Sequence, residues 1–461
     1  MSPPHRRAIL CVLLLGALLP LLERRADAQA AQAVVAGQVV GDDGGPVLAR
    51  VLVASAANPD MNEVVFTDEQ GRFEQTFEAG PAVIGAYHGY EWAPAQAPVD
   101  LQAGRNEVRL ALRRLVDLEK LGWYGGDQHM HSTFSDGLWP PERLAHAARC
   151  EDLDWAALTD HDTVDGLPSW LAQARPGFLP IGGEEVTTRE GHIAAVGIRR
   201  VVSPDLSPDH TMAHIFREIH AQGGLAIVAH PAAPGMSYLH WEITDYDAIE
   251  AINGNGPPYG GLYDLVQGRA RWHLLLNEGR RVPCVASSDN HYPDNSLVRR
   301  ALRDPEAAKR EHPEAAAVLA LVDQEALFAW GRRGLYVGNV RTYAKLPALT
   351  QGGVLTALKA GRSFLTNGPL LLVQVNGQDP GSEVPAGRLH LTYRALSAGP
   401  LARLQVVVNG AVAQTVDLHG QSDAAGELAV TAAGSGWLAV ECYGAWPEIA
   451  LTNAWYVSGE Q

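Results

Sequence analysis

The chain has 461 residues, of which 46% are hydrophobic and 19% charged, and its formal net charge at pH 7 is −16. This length predicts two to four domains, and the composition is that of a globular protein rather than a disordered one. The acidic excess would repel phosphate backbones, so the sequence argues against a nucleic-acid-binding scaffold and favours a small-molecule substrate. Oligomeric state is not readable from these properties.

Residues 1–30 have the features of an export signal. A basic start, His5-Arg6-Arg7, precedes the apolar run Ala8–Leu22, and Ala28-Gln29-Ala30 resembles a small-x-small cleavage site. The apolar run is short for a membrane span. We therefore predict an exported protein, periplasmic or extracellular, with no stable membrane span after signal cleavage; an uncleaved anchor is the alternative.

Three cysteines follow this segment, at Cys150, Cys284 and Cys442. Their wide spacing supports neither a thiolate metal site nor a disulfide framework. We expect all three to be core residues.

The rest of the chain divides into three parts by its hydrophobic pattern. Residues 31–115 contain short β-rich segments between Gly- and Asp-containing turns, which predict a small β-sandwich. Residues 116–368 alternate strand and helix segments, a pattern typical of an α/β barrel with parallel strands. Residues 369–461 are again β-rich, with a hairpin signal at Asn409-Gly410, and predict a second β-sandwich.

The stretch Asp127–Asp136, which reads DQHMHSTFSD, carries the first chemistry-bearing motif. Side chains alternate along a strand, so its two histidines should point to one face. Histidines and acids also follow later predicted strands, which are the positions where barrel enzymes place their chemistry. The nine candidate ligands are His129, His131, Asp136, His161, Glu185, His192, His230, Asp289 and His291. Nitrogen and oxygen ligands without thiolate favour Zn, Mn or Fe.

The order of these motifs is H-x-H-x-x-x-x-D, T-D-H-D, G-x-E-V-T-T, G-H-I, A-H-P and S-S-D-N-H. As a set they resemble the PHP (polymerase and histidinol phosphatase) metallohydrolases, and most of all the carbaryl-hydrolase-like CehA/McbA group. Residues 31–115 resemble a carboxypeptidase-regulatory-like sandwich, which suits that group because its members are exported with a leading β-domain.

The resemblance implies a distorted (β/α)7 barrel with two or three divalent metal ions. The first metal would be held by His129, His131, Glu185 and Asp289. The second would share the bridging carboxylate and add two histidines, Glu185, His192 and His230. The third would be held by Asp136, His161 and His291. Asp136 stands where other branches of the family have histidine, which would loosen or alter the third site. Glu184 is the alternative to Glu185 as the bridge.

The predicted function is hydrolysis by a metal-activated water, with phosphoesters as the leading substrate class. Carbamate, ester or amide hydrolysis is the second hypothesis, and a catalytically inactive extracellular binding protein is the third. The catalytic residues would themselves be ligands, namely Glu185, His230, Asp289 and His291. A ligating histidine cannot easily also donate a proton, so the proton donor stays open.

Three further residues have two interpretations each. Arg341 could bind an anionic group of the substrate, because Arg suits phosphate, or be a solvated charge. Asp127 and Asp160 could orient ligating imidazoles, or be strand-end acids that face water.

Overall fold

The computed structural model describes residues 31–56, 62–233, 235–254, 261–291, 336–445 and 448–459. The predicted export signal lies outside these residues. Within them the chain is a mixed α/β structure in which strands far outnumber helices. None of the described helices is long and apolar enough to cross a membrane.

The N-terminal part consists of short strands packed as two main sheets. Its strands are β1 (Gln32–Val40), β2 (Arg50–Ser55), β3 (Asn62–Phe66), β4 (Arg72–Glu78), β5 (Gly80–Tyr87), β6 (Trp92–Ala93), β7 (Ala95–Leu101), β8 (Gly104–Ala111) and β9 (Arg113–Arg114). The sheet orders are β4-β1-β8 and β3-β2-β5-β7, and β6 pairs with β9. Val35, Val53 and Ile84 have no exposed surface and belong to the core between the sheets.

The middle part contains seven neighbouring strands and four described helices. The strands are β10 (Trp123–Asp127), β11 (Trp155–Leu158), β12 (Leu179–Thr188), β13 (Gly191–Val196), β14 (Leu225–Val228), β15 (Ala248–Asn253) and β16 (Cys284–Ser287). The helices are α1 (Pro141–Cys150), α2 (Leu167–Leu171), α3 (Met212–Ala221) and α4 (Gly261–Asn277). Helix α1 begins with Pro141 in its first turn, where the missing N–H costs nothing, as the sequence predicts.

The strand directions differ from the predicted all-parallel (β/α)7 pattern. The sheet order β16-β15-β14-β13-β12-β11-β10 follows the chain, but β13 runs antiparallel to both of its neighbours. Only Arg189 and Glu190 separate β12 from β13. So short a connection makes a hairpin, because a parallel crossover needs a dozen residues or more. The described structure therefore lacks a helix at this connection, and also between β14 and β15.

The two ends of this seven-strand sheet meet just beyond the strands. Met130, after β10, forms a parallel bridge with Asn290, after β16. The Asp289 N–H donates to the His129 carbonyl at 2.9 Å, and the His131 N–H donates to the Asn290 carbonyl at 3.0 Å. The segments that follow the first strand, β10, and the last strand, β16, are thus hydrogen-bonded to each other.

The C-terminal part is joined to the middle part by a continuous sheet. After β17 (Arg341–Lys345), helix α5 (Gln351–Lys359) and β18 (Ser363–Thr366), the strands are β19 (Leu370–Val375), β20 (Glu383–Pro385), β21 (Gly387–Leu396), β22 (Arg403–Val408), β23 (Ala411–Asp417), β24 (Asp423–Ala432), β25 (Gly436–Tyr443), β26 (Ile449–Thr452) and β27 (Trp455–Ser458). Strand β10 pairs with β17, β17 with β18, and β18 with β26. The sheet therefore crosses the predicted boundary between residues 368 and 369.

Two smaller predictions are confirmed in this structure. Asn409 and Gly410 both have positive φ, as a two-residue hairpin turn requires, and they connect β22 to β23. Cys150, Cys284 and Cys442 are buried and free.

Candidate metal centre

The nine predicted ligands lie together at one end of the seven-strand sheet. His129 and His131 follow β10, His161 follows β11, and the remaining ligands lie on or just after strands β12 to β16, apart from Asp136 in the loop after His131. Three groups of these side chains have ligand atoms within 4.8 Å of one another. The groups are His129, His131, Glu185 and Asp289; His161, Glu185 and His192; and His131, Asp136, His161 and His291.

The first group is buried and tightly convergent. His129 Nε2 lies 3.2 Å from Glu185 Oε2 and 3.3 Å from Asp289 Oδ1. His131 Nε2 lies 3.3 Å and 3.1 Å from the same two oxygens, and 3.1 Å from His129 Nε2. Ligands about 2.0–2.1 Å from a tetrahedral cation are about 3.3–3.4 Å apart, so the four atoms have the spacing of a metal site.

The hydrogen bonds around this group also fit a cation. Glu185 Oε2 and Asp289 Oδ1 are buried and have no hydrogen-bond partner within the described residues. The Nδ1–H of His129 donates to Glu250 at 2.9 Å, which leaves the lone pair of Nε2 facing the two oxygens. Converging lone pairs in a dry site repel unless a proton or a cation lies between them. The chemistry of this donor set fits a divalent metal.

The predicted second site shares Glu185 and His192 with the second of these groups but has His230 in place of His161. Its residues, Glu185, His192 and His230, are called the second group from here on, and the two histidines lie at the other oxygen of Glu185. His192 Nδ1 and His230 Nε2 each lie 2.9 Å from Glu185 Oε1. The two imidazole rings are 5.0 Å apart, centre to centre, and the Nδ1 of His230 is buried without a partner within the described ranges. One carboxylate therefore faces both groups, which is the arrangement a bridging ligand needs.

The third group is the most open of the three. Asp136 Oδ1 lies 3.2 Å from His291 Nε2, 3.6 Å from His161 Nε2 and 3.8 Å from His131 Nδ1. The Asp136 side chain is 58% exposed and that of His161 24%, whereas His129 and His131 are at 0%. Of the described ligands, those on the side of Asp136 are therefore the most open to solvent.

Charge pairing shifts the pKa values of these groups in opposite directions. Burial disfavours the charged forms, but the neighbouring imidazoles outweigh it and hold the pKa of Glu185 and of Asp289 well below its usual range. Burial likewise opposes protonation of His161 and His230, yet Glu185 in particular raises the pKa of each to about 9. In the chain without cations, protons on His161 and His230 therefore offset part of the charge of the carboxylates.

Two strand-end acids support backbone rather than imidazoles. Asp160 accepts hydrogen bonds from the Ser132 N–H, the Ser132 hydroxyl and the Ser135 hydroxyl, each at 2.7 Å. It thereby holds the loop that carries Asp136. Asp127 is buried and accepts from the backbone N–H groups of Ser288 and Gly338 at 3.0 and 3.1 Å. Neither of the two predicted interpretations describes them fully.

Arg341 is the predicted site residue that the structure does not bring to the centre. It has no exposed surface, and its guanidinium donates to the carbonyls of Gly338 and Glu151 while stacking over the ring of Tyr90. Residues Tyr90 and Glu151 line a cavity of about 350 Å³ where the three parts of the chain meet, away from the ligands. Arg341 lies away from the ligands because it belongs to a buried strand, β17, where it pairs with Thr366 of β18 and not with a loop of the site.

Two buried residues at the site were missed by the sequence reasoning, Glu250 and Asn253 on β15. Glu250 contacts His129, and the amide of Asn253 lies 3.1 Å from Asp289 Oδ2. The sequence did contain a signal for Glu250. A glutamate within the apolar segment Ala-Ile-Glu-Ala-Ile-Asn is unusual, because a buried charged residue needs a partner.

Comparisons with known proteins give partial similarities. No family model matches the chain. It is 28% identical over 141 residues to an uncharacterized protein of Methanocaldococcus jannaschii, which covers 28% of this chain and 80% of that protein. It is 40% identical over 63 residues to a 5'-3' exoribonuclease of Haemophilus influenzae, 13% of this chain, and spans only 23% of that protein's length.

A solved structure from Bacteroides vulgatus is also similar. It is a two-domain protein containing a predicted PHP-like metal-dependent phosphoesterase, with a TM-score of 0.40 and 16% sequence identity. The match covers 73% of this chain and 95% of that one.

Proposed function

We propose that this chain is an exported, metal-dependent hydrolase of the PHP type, and that its seven neighbouring strands form a distorted barrel. The observation that carries the proposal is the geometry of the first group. In it, the Nε2 atoms of His129 and His131 each lie 3.1–3.3 Å from one oxygen of Glu185 and one of Asp289. These two buried oxygens have no hydrogen-bond partner in the described structure. A catalytically inactive binding protein would have no reason to keep such a group together, because it costs free energy when empty.

The ligands of the centre would have different roles in the reaction. Glu185 faces the first two groups with its two oxygens and would hold two cations side by side. Divalent cations held there would activate water for attack and stabilise charge on the substrate. Asp289 completes the first group, while His291 and Asp136 at the open side would meet the substrate first. We expect two or three ions of Zn, Mn or Fe.

Phosphoester hydrolysis is the leading reaction, because several positive centres in one site suit an anionic ester and its charged transition state. Carbamate, ester or amide hydrolysis is the second candidate, and two observations favour it. In the described part of the chain, Glu185, Asp289 and Asp136 form ion pairs only with histidines. None of these acids therefore holds, within the described residues, an Arg or Lys side chain that could meet a phosphate group. Moreover, Phe134 and Leu138 on the loop of Asp136 are 46% and 55% exposed, as an uncharged substrate would prefer.

A paired turnover assay distinguishes these reactions. The purified protein, loaded with Mn or Zn, would be given a series of aryl phosphate esters and an aryl methylcarbamate, each with and without chelator. Chelator-sensitive release from the phosphate esters supports the leading reaction, and release from the carbamate alone replaces it with the second. A protein that binds metal and turns over neither contradicts both reactions, and a protein that binds no metal contradicts the proposed centre.

A further inference from the structure

Glu250 is a fully buried acid on β15 that contacts the metal centre without pointing a free oxygen into it. We propose that Glu250 is a positioning residue, which fixes the ligands of the first and second cation groups relative to each other. This inference rests on the proposed function, since it assumes that the centre binds metal.

One oxygen of Glu250 sets the orientation of His129. Oε1 lies 2.9 Å from His129 Nδ1 and accepts a hydrogen bond from the Nδ1–H group. The bond selects the tautomer in which Nε2 carries a lone pair, and it holds the ring so that Nε2 faces Glu185 and Asp289. A carboxylate behind a ligating imidazole also makes that imidazole a better donor to a metal.

The other oxygen of Glu250 holds the backbone that presents His230. Oε2 accepts the His230 N–H at 2.8 Å. His230 has a φ of 26°, a conformation that costs free energy for a residue other than glycine and persists only where its surroundings impose it. The hydrogen bond that the His230 N–H donates to Glu250 is one such constraint, and it connects the second group to the first through a single side chain.

Asn253 extends the same arrangement to Asp289. Its side-chain amide lies 3.0 Å from Glu250 Oε2 and 3.1 Å from Asp289 Oδ2. Asp289 also has a positive φ, of 50°. Through these contacts one carboxylate on β15 influences His129, His230 and Asp289, which come from three other strand ends.

A purely structural role for this carboxylate is less consistent with its surroundings. Every residue of β15 is buried, and Ile249, Ala251 and Ile252 on either side of Glu250 are apolar. A buried charge costs free energy unless it is paired, and an apolar residue would serve packing alone better. The ion-pair partner of Glu250 in the described part of the chain is His129, which is itself a residue of the metal centre.

The test measures metal binding, not turnover, in three variants of the full chain. Glu250→Gln keeps the volume but offers one acceptor oxygen where three donors must be met. Glu250→Asp keeps the charge and withdraws it by about 1.5 Å, one C–C bond length. Glu184→Gln is the matched control, because Glu184 is equally buried on β12 but, among the described residues, accepts a hydrogen bond only from the N–H of Val202, at 3.0 Å.

We expect both Glu250 variants to bind Co²⁺ about 10- to 100-fold more weakly than the wild type in chelator competition, and to show an altered visible Co²⁺ spectrum. Glu184→Gln should keep the wild-type affinity and spectrum. Far-UV circular dichroism of the metal-free proteins would show whether a variant has folded, and Glu250→Asp carries the test if Glu250→Gln has not.

Wild-type Co²⁺ affinity and spectrum in either folded Glu250 variant would overturn the positioning role. Equal losses in Glu250→Gln and Glu184→Gln would also overturn it, because they would reflect the general cost of removing a buried carboxylate. Failure of the proposed hydrolysis would be seen separately, as metal-loaded wild type without turnover of any ester.

Discussion

Glu184 and Glu185 occupy neighbouring positions of one buried strand, yet they face opposite sides of the sheet because side chains alternate along a strand. Glu185 contacts five histidines of the centre, while Glu184 accepts a backbone N–H from Val202. The structure thus distinguishes two residues that the sequence left as alternatives for the bridging position.

Glu185→Gln should abolish most of the metal-dependent activity. A partner behind a ligand is worth about 10- to 100-fold, so loss of a carboxylate that faces two groups should cost at least about 100-fold in kcat/KM. Metal content by elemental analysis should fall by more than one equivalent. Glu184→Gln is the control; if it loses as much activity as Glu185→Gln, the assignment of the bridge is wrong.

The histidines of the centre predict how stability depends on pH in the metal-free protein. His161 and His230 have pKa values raised from 6.5 to about 9 by Glu185, against the opposing effect of burial. The folded chain therefore binds protons more tightly than the unfolded chain. This stabilisation is fully present below pH 6.5 and is lost as the pH rises to 9.

Urea unfolding at pH 6.5, 7.5 and 9 in the presence of chelator should show a falling midpoint. The same series with saturating Zn or Mn should fall much less, because the cation replaces the protons and its binding strengthens as they leave. Parallel pH trends with and without metal would contradict this competition.

Sequence reasoning placed the ligands but not the residues around them. His129, His161 and Glu185 were recognisable because each stands in a short polar motif at a predicted strand end. Arg341 and Glu250 could not be separated in this way, since each is a charged residue within a strand. Only the tertiary packing, which buries Arg341 beside Glu151 and Glu250 beside His129, reveals what each one contacts.

At the scale of elements, β10 and β11 show why this sheet tolerates little change near the ligands. Gly126 on β10 is paired with Trp155 on β11, and a Cβ atom at Gly126 would lie 2.0 Å from the indole ring. Trp155 cannot easily move, because it is fully buried and its Nε1–H donates to the Tyr124 carbonyl.

Gly126→Ala should therefore destabilise the protein by about 1–3 kcal/mol, the usual cost of overpacking a core. The matched control is Gly352→Ala in α5, where an added Cβ meets nothing within 4 Å. The control should be neutral or stabilising by up to about 1 kcal/mol, since Ala favours helix more than Gly does. Both free energies of unfolding can be measured by urea titration; equal effects would disprove the steric argument.

The elements themselves were predictable to different degrees. Helices α1 and α3 were readable from local signals, such as the prolines that open α1 and the apolar periodicity of Met212–Ala221. The antiparallel direction of β13 follows from the two residues, Arg189 and Glu190, that separate it from β12, a signal that the prediction of parallel strands did not use. The continuation of β18 into β26 is a long-range pairing that was not readable, because a strand's own residues do not encode which neighbour it pairs with.

At the scale of the molecule, the N-terminal sandwich is attached to the middle part through buried charge. Arg50 on β2 lies 2.5 Å from Glu151 after α1, and both side chains are less than a tenth exposed. The Arg50 guanidinium also stacks over Tyr87 and Tyr336, and nearby His88 lies 3.3 Å from Asp152. This interface predicts that the two parts unfold together.

Arg50→Ala should lower stability by about 3–5 kcal/mol, because it leaves Glu151 buried without its partner. Calorimetry should then resolve an earlier transition for the sandwich. The double variant Arg50→Met with Glu151→Leu should recover most of the loss. Arg105, which is paired only at the exposed surface, provides a control whose replacement by Ala should change little. A comparable loss in both single variants would contradict the role of burial.

The parallel β-bridge between Met130 and Asn290 has a consequence for the order of folding. His129 and Asp289 are about 160 residues apart in the chain, and the first cation group exists only once they are adjacent. Closing so long a loop costs entropy before any contact repays it, so it belongs to the late stages of folding. Metal capture should therefore follow closure of the sheet, and the rate at which a refolding chain takes up its cations would report the moment at which its first and last strands meet.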